Sequence, residues 1–306
     1  MILKKPIVFF FTLLFSQLII RGASAIPSDT LVVNKKRLHY VVAGESVLFA
    51  SSLYALNNLW YKDYPRSSFH FFNDNREWQQ MDKLGHATTS CTIGAFGYKT
   101  LKWCGVENNK AIWLGGSLGS VYLLTIEVLD GLSSQWGFSL GDFTANTFGS
   151  VVFMSQQFAW NEQRIPFKWS YHHTVFPDYR PDLLGSNSAQ EWLKDYNGQT
   201  YWLSGNISSF LNKDSRFPKW LNLAVGYGAE GMIGANSNPP VHNGQVMPYY
   251  DRYRQFYISP DINFMRIPTK SKLLKIAFFA LNILKFPAPA LEFNTQHKVK
   301  FHPVYF

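Results

Sequence analysis

Four stretches of the chain repeat apolar residues at helical spacing. The first, Val41 to Tyr61, is apolar but holds Glu45, Asn57 and Asn58. A polar, aromatic connection follows from Lys62 to Arg76, with Pro65 and the turn-like Asn73-Asp74-Asn75. The second predicted helix starts near Glu77, where Asn75 can cap it and the Glu77 carboxylate suits the positive helix end. It runs to about Trp103 and stops at Gly105. The third spans Lys110 to Ser134 and the fourth Leu140 to Gln163, ended by Pro166. Short connections make neighbouring helices antiparallel.

These helices are rich in small residues: Gly85, Gly94 and Gly97, then Gly115, Gly116 and Gly119, then Ala145 and Gly149. A glycine inside a soluble helix costs about 1 kcal/mol against alanine, so their number needs a reason. Close approach of backbones in or beside a bilayer is one, because lipid supplies no hydrophobic drive between helices. Ala111 to Leu129 carries a single charge, Glu127, and is long enough to span. A buried bundle lying against the membrane satisfies the pattern equally.

After Pro166 the pattern changes. Ser170 to Gly185 is a loop rich in Tyr, His and Pro, and Ser188 to Tyr196 a short amphipathic helix followed by Gly198 to Phe210. Leu221, Leu223, Val225 and Tyr227 alternate with polar or small residues, which predicts a strand over Leu221 to Ile233. Arg254 to Arg266 reads as a second strand interrupted by Pro260, and Leu291 to Phe306 as a third. Between them Lys270 to Lys285 is a basic amphipathic helix of interfacial type. The chain ends in phenylalanine, as many outer-membrane barrels do, but three or four strands cannot close the smallest barrel. The expected fold is α+β and mainly α: an antiparallel, membrane-associated four-helix bundle over residues 26–165, then a mixed extension over 166–306.

Composition and charge sharpen the compartment. The 306 residues are 46% hydrophobic and 17% aromatic but only 16% charged, against about 25% for a soluble domain. Mean hydropathy of −0.12 is nonetheless low for a polytopic membrane protein. Lys4 and Lys5 precede an apolar run, Pro6 to Ile20, and Ala23-Ser24-Ala25 then offers small residues for cleavage. That is the plan of a secretory signal peptide over residues 1–25, so the chain leaves the cytoplasm. Without that segment the excess positive charge falls in residues 251–306, which hold nine basic residues against Asp251, Asp261 and Glu292. A basic section on a neutral body suits anionic lipid head groups, with Lys270, Lys272 and Lys275 as the lipid-binding candidates. An ordinary solvated basic surface would look the same. An exported chain makes nucleic acid a remote partner; an envelope protein partner stays open. Cys91 and Cys104 fall on one predicted helix about 20 Å apart, too far for a disulfide, and are expected to be buried thiols.

Candidate chemistry lies in the helices. Asp82 and His86 are four apart on one helical face, with Lys83 beside them. Glu127 and Asp130 are three apart on the next helix, and Asp142 and Asn146 four apart on the one after. Ionisable groups on apolar helices are costly unless they face each other, water or an ion. Convergence of Asp82, His86, Glu127 and Asp142 in one polar pocket is therefore expected. It would serve as interhelical hydrogen bonding that fixes the bundle, or as a site for a metal or an anionic head group. The cofactor, if any, is not specified by these residues.

The Asp82-Lys83-Leu84-Gly85-His86-Ala87 block, the Glu127-x-x-Asp130-Gly131 block and the Gly141-Asp142-x-x-Ala145-Asn146 block resemble the YfiM-like family of predicted periplasmic lipoproteins, and more distantly the VanZ-like membrane proteins. The resemblance covers roughly residues 40–165. It implies a helical envelope domain of undefined function whose shared positions are Asp82, Lys83, His86, Glu127, Asp142 and Asn146. The flanks Phe69 to Asp74 and Asp195 to Trp202 suggest a longer envelope variant with a C-terminal extension. This chain departs from the lipoprotein pattern in having no cysteine near the predicted cleavage site.

No nucleophile elbow, phosphate-binding loop, H-E-x-x-H or paired C-x-x-C is present. Two readings follow: a non-enzymatic structural or binding protein at a bacterial membrane, or a membrane-associated metal-dependent hydrolase or transferase acting on a lipid phosphate through the same polar residues. The export reading makes its own prediction. N-terminal sequencing of envelope-purified protein should find Ile26 as the first residue; an intact Met1 would turn the segment into a retained anchor.

Overall fold

A computed structural model of the chain describes residues 33–62, 64–212 and 214–306. The signal peptide expected over residues 1–25 lies outside these residues. The described chain forms two compact units. One holds the residues up to Asp74 together with Thr89–Glu162; the other holds Asn75–Thr88 together with Gln163–Phe306.

The first unit is helical. Helix α1 spans Lys35–Leu56 and continues as a π-helical turn, Asn57–Tyr61. It begins six residues before the expected start because Asn34 caps it, its side chain accepting from the Arg37 N–H at 3.0 Å. Helix α2 is Met81–Trp103, with its residues from Thr89 onward in this unit. Helix α3 is Asn108–Asp130, capped by the Glu107 carboxylate, and α4 is Leu140–Trp160, capped by Ser139. Helix α4 ends where Asn161 takes a left-handed conformation, φ 56°, before Pro166 is reached.

Glycines let these helices meet backbone to backbone. A Cβ on Gly119 would stand 2.1 Å from the Ser90 carbonyl oxygen, and one on Gly115 2.3 Å from the Tyr98 nitrogen. The paired numbers run in opposite senses, so α2 and α3 are antiparallel. Helices α3 and α4 are antiparallel as well: Ser120 Oγ donates to the Asn146 carbonyl at 2.9 Å, and Gly116 leaves room for Met154. Leu38, Val42, Phe49 and Leu53 of α1 share one buried cluster with Leu101, Cys104, Leu118 and Leu129. Cys91 and Cys104 are buried and form no disulfide with each other, as expected. The outward face is apolar: Trp113, Phe143, Phe148, Val151 and Phe158 are exposed. Among the described residues, α3 is the helix long and apolar enough to cross a membrane, and half of its apolar window is buried within the fold.

The second unit begins with a correction. Asn75 does not cap a helix at Glu77. Residues Glu77–Gln80 form a tight turn in which Trp78, Gln79 and Gln80 have positive φ, and the α-helix starts at Met81. Tertiary contacts hold the turn: the Trp78 N–H donates to the Ala235 carbonyl at 2.9 Å, Tyr227 donates to the Gln79 carbonyl, and Arg254 donates to the Gln80 side chain at 2.7 Å. The Trp78 ring is buried in a cluster with Met81, Phe176 and Leu184. These contacts outweigh the local capping preference.

The expectation of a few strands also falls short. The unit contains a six-stranded antiparallel sheet of β1 (Phe167–Tyr171), β2 (Gln199–Asn206), β3 (Leu221–Glu230), β6 (Tyr253–Ile262), β7 (Ala288–Asn294) and β8 (Val299–Tyr305), hydrogen-bonded in that order. A small hairpin, β4 (Val241–His242) with β5 (Gln245–Val246), precedes β6. Short helices α5 (Phe176–Tyr179), α6 (Pro181–Leu184) and α7 (Ser188–Lys194) separate β1 from β2. Pro260 does not interrupt β6. It pairs with Leu223 on one side and lies past the end of the β6–β7 ladder on the other, so its missing N–H costs no pairing there. The segment expected as one strand, Leu291 to Phe306, is instead the β7–β8 hairpin, turned at His297 with φ 61°. The basic helix is shorter than expected: α8 is Lys272–Leu281, and Lys285 leaves it to become a buried side chain.

Two measurements check the helical unit. Gly119→Val should lower stability by about 1–3 kcal/mol, because the Ser90 backbone cannot yield. Gly44→Ala, in open space on α1, should raise it by up to about 1 kcal/mol. The second measurement concerns Glu45, whose carboxyl burial pushes up to about 7 against a hydrogen bond from Thr100. The folded value lies above the ordinary 4.5, so stability is fullest below 4.5 and falls as pH rises through 7. Melting curves between pH 5 and 8 should show a decline, of at most about 3 kcal/mol, that Glu45→Gln abolishes. Parallel curves for the two proteins would contradict this.

Candidate functional site

The first two turns of α2, in the second unit, carry Asp82, Lys83 and His86. The helical spacing of four sets Asp82 and His86 on one face, with Asp82 Oδ1 3.7 Å from His86 Nε2. Lys83 Nζ donates to Asp82 Oδ2 at 3.1 Å. Tyr196 Oη donates to Asp82 Oδ1 at 2.7 Å, and the Tyr196 ring is steadied against Trp78, the centroids 5.4 Å apart. Burial alone would raise the Asp82 carboxyl. The charges of His86 and Lys83 and the bonds from Tyr196 and Lys83 outweigh it and hold the group below the ordinary carboxylate range. Gly85 belongs to the same design, since a Cβ there would stand 2.8 Å from Tyr201 Oη.

The remaining helical candidates lie in the first unit. Glu127 and Asp142 are buried, and Ser139 joins them: its N–H donates to Glu127 Oε2 at 3.2 Å and its Oγ accepts from the Asp142 N–H at 3.0 Å. The Ser139 hydroxyl proton goes to Asp74 Oδ1 at 2.6 Å. The Asn146 carbonyl accepts from Ser90 Oγ at 2.6 Å and from Ser120 Oγ at 2.9 Å. Asp130 points elsewhere and accepts from Tyr61 Oη at 2.7 Å.

Each unit thus gathers some of the expected residues. Asp82, Lys83 and His86 form one cluster, while Glu127 and Asp142 meet through Ser139. Four participants were not anticipated: Tyr196, Ser139, Ser90 and Asp74. Ser139 had a legible signal, being a favoured capping residue just before an apolar helix. Tyr196 had none, because 114 residues separate it from Asp82. Lys270, Lys272 and Lys275 are all exposed, on or just before α8.

Chemically, Asp82 and His86 are a carboxylate and an imidazole on adjacent turns of one face. Two such donors suit a borderline divalent cation, and a third would complete a site.

Residues 70–155 match the model of a family described as predicted periplasmic lipoprotein (DUF2279). The matched segment contains every helical candidate from Asp82 to Asn146. No curated protein and no solved structure matches the chain. Over that segment the chain is similar to a periplasmic family of unknown function, in agreement with an exported protein of the cell envelope.

Proposed function

We propose that the protein is a binding protein of the bacterial envelope whose helices form a membrane-associated bundle, and that Asp82 and His86 together hold a divalent cation. The observation that carries the reading is their placement four residues apart on one face of α2, with His86 Nε2 3.7 Å from Asp82 Oδ1. Tyr196 and Lys83 donate to the Asp82 carboxylate and help to keep it charged. Carboxylate and imidazole are donors of the kind that bind zinc or manganese.

The finer kinship read from the sequence, YfiM-like and more distantly VanZ-like, is part of this proposal. So is the order of its chemistry: binding first, with turnover of a lipid phosphate as the added step that phosphate release by the metal-loaded protein would reveal.

Titration of purified, chelator-treated protein with Mn²⁺ and Zn²⁺ tests the site. One ion should bind, and Asp82→Asn and His86→Gln should each weaken it roughly tenfold or more while leaving the helical circular dichroism unchanged. Lys270→Glu should bind as the parent does. Absence of any binding heat, together with a melting temperature indifferent to both ions and to chelator, would overturn the proposal.

A further inference from the structure

The six-stranded sheet has its polarity reversed. On β3, β6 and β7 the buried positions are Asn222, Ser259, Asp261, Glu292 and Asn294, with Tyr257 and small residues among them. The alternate positions, Leu223, Val225, Phe256, Ile258, Leu291 and Phe293, are between 41 and 50% exposed, and Phe301 of β8 is 64% exposed. Pairing joins them into rows. Leu203 lies opposite Val225, Val225 opposite Ile258, Ile258 opposite Leu291 and Leu291 opposite Phe301, an unbroken apolar row over five strands. A second row runs from Tyr227 through Phe256 and Phe293 to Val299.

A sheet with one face in water turns its apolar residues inward, because that is where burial stabilises. This sheet does the opposite, and its inner polar groups are bonded to one another. Lys168 Nζ lies 2.8 Å from Asp261 Oδ2, Ser204 Oγ donates to the same oxygen at 2.6 Å, and His302 Nε2 lies 2.8 Å from Glu292 Oε2. Apolar outside and polar inside, alternating along each strand, is the arrangement of strands whose outer solvent is lipid.

We infer that this outer face sits in the hydrocarbon of a bilayer. The inference rests on the membrane association of the proposed function and names the surface that makes it. On β6 the exposed positions Phe256, Ile258 and Pro260 cover ~13 Å at ~3.3 Å per residue, close to one leaflet's share of a ~30 Å hydrocarbon core. Charge complementarity fixes the orientation. The end of β2, the start of β3, the end of β6 and the start of β7 lie at one end of the sheet, where the Asn263 N–H donates to the Trp220 carbonyl at 2.7 Å. Helix α8 connects β6 to β7 at that end, with Leu273 and Ile276 strongly exposed beside Lys272 and Lys275. Phe210 and Trp220, in the β2–β3 connection, are exposed there too. Aromatic rings and lysines at the end of lipid-facing strands belong at an anionic head-group layer.

The test uses the full mature chain with single cysteines at Val225→Cys, Ile258→Cys or Phe301→Cys, and at Val246→Cys in the β4–β5 hairpin as control, the native thiols being buried. Each is labelled with an environment-sensitive fluorophore and mixed with phosphatidylcholine vesicles containing a minority of phosphatidylglycerol. The three sheet labels should shift to the blue and be quenched severalfold by brominated acyl chains, whereas the Val246 label should answer to aqueous iodide. Lys270→Glu, Lys272→Glu and Lys275→Glu combined should weaken flotation on anionic vesicles and leave neutral vesicles unaffected, as should salt. A chain that floats while all three sheet labels stay open to iodide would overturn this face and spare membrane association. A chain that fails to float would overturn both. Shielding that appears without lipid and grows with protein concentration would assign the face to a second copy and overturn the lipid assignment.

Discussion

Asp261 sits fully buried on the inner face of the sheet, and the strands around it are arranged to keep a carboxylate there. An ion withdrawn from water destabilises a fold unless partners replace its hydration. Lys168 on β1, Ser204 on β2 and the Phe286 N–H before β7 each supply one, and Lys285 Nζ stands 3.9 Å away while donating to the Pro260 and Phe286 carbonyls. These groups come from segments scattered over more than a hundred residues, so the ion cluster forms only when the strand order is correct. Once the inner positions are committed to such bonds, the alternation of the strand gives the outer positions to leucine, valine, isoleucine and phenylalanine. The apolar outer face is thus the consequence of a polar interior.

The helical unit obeys the same constraint by other means. Its helices approach through glycines, and close approach leaves room for short polar side chains but not for large ones. Ser90, Ser120 and Ser150 fill that space with a compact set of hydroxyl contacts, with the Ser120 and Ser150 oxygens 2.8 Å apart. The bulky residues Trp113, Phe148 and Phe158 are displaced to the outside. Small residues inside and aromatic ones outside suit helices in contact with lipid, where packing must come from van der Waals fit and hydrogen bonds.

How much of this was legible in the residues depends on how local the cause is. The four helices follow from apolar spacing and from caps such as Ser139, both of which act within a few residues. The polar pairs follow from the helical repeat, which fixes Asp82 with His86 without reference to anything else. The polarity of the sheet was written in the strands too, but three of them were hard to read: β2 mixes Thr, Tyr, Trp and Ser, and β7 and β8 carry prolines at exposed positions that obscure the alternation. A hairpin whose turn contains His297 rather than glycine gave no boundary signal.

What the sequence determined by itself was export, the helical segments, the buried thiols and the candidates Asp82, Lys83, His86, Glu127, Asp142 and Asn146, because periodicity and charge act along the chain. Tertiary structure alone decided that Glu77–Gln80 is a left-handed turn rather than a helix start, since the Ala235 carbonyl and Arg254 that hold it are more than 150 residues away. It decided that Tyr196 bonds Asp82, that Asp130 turns to Tyr61, and that Lys285 is an interior ion instead of a surface lysine. It also decided which face of each strand is inside, because a period of two marks two faces without saying which one meets the protein.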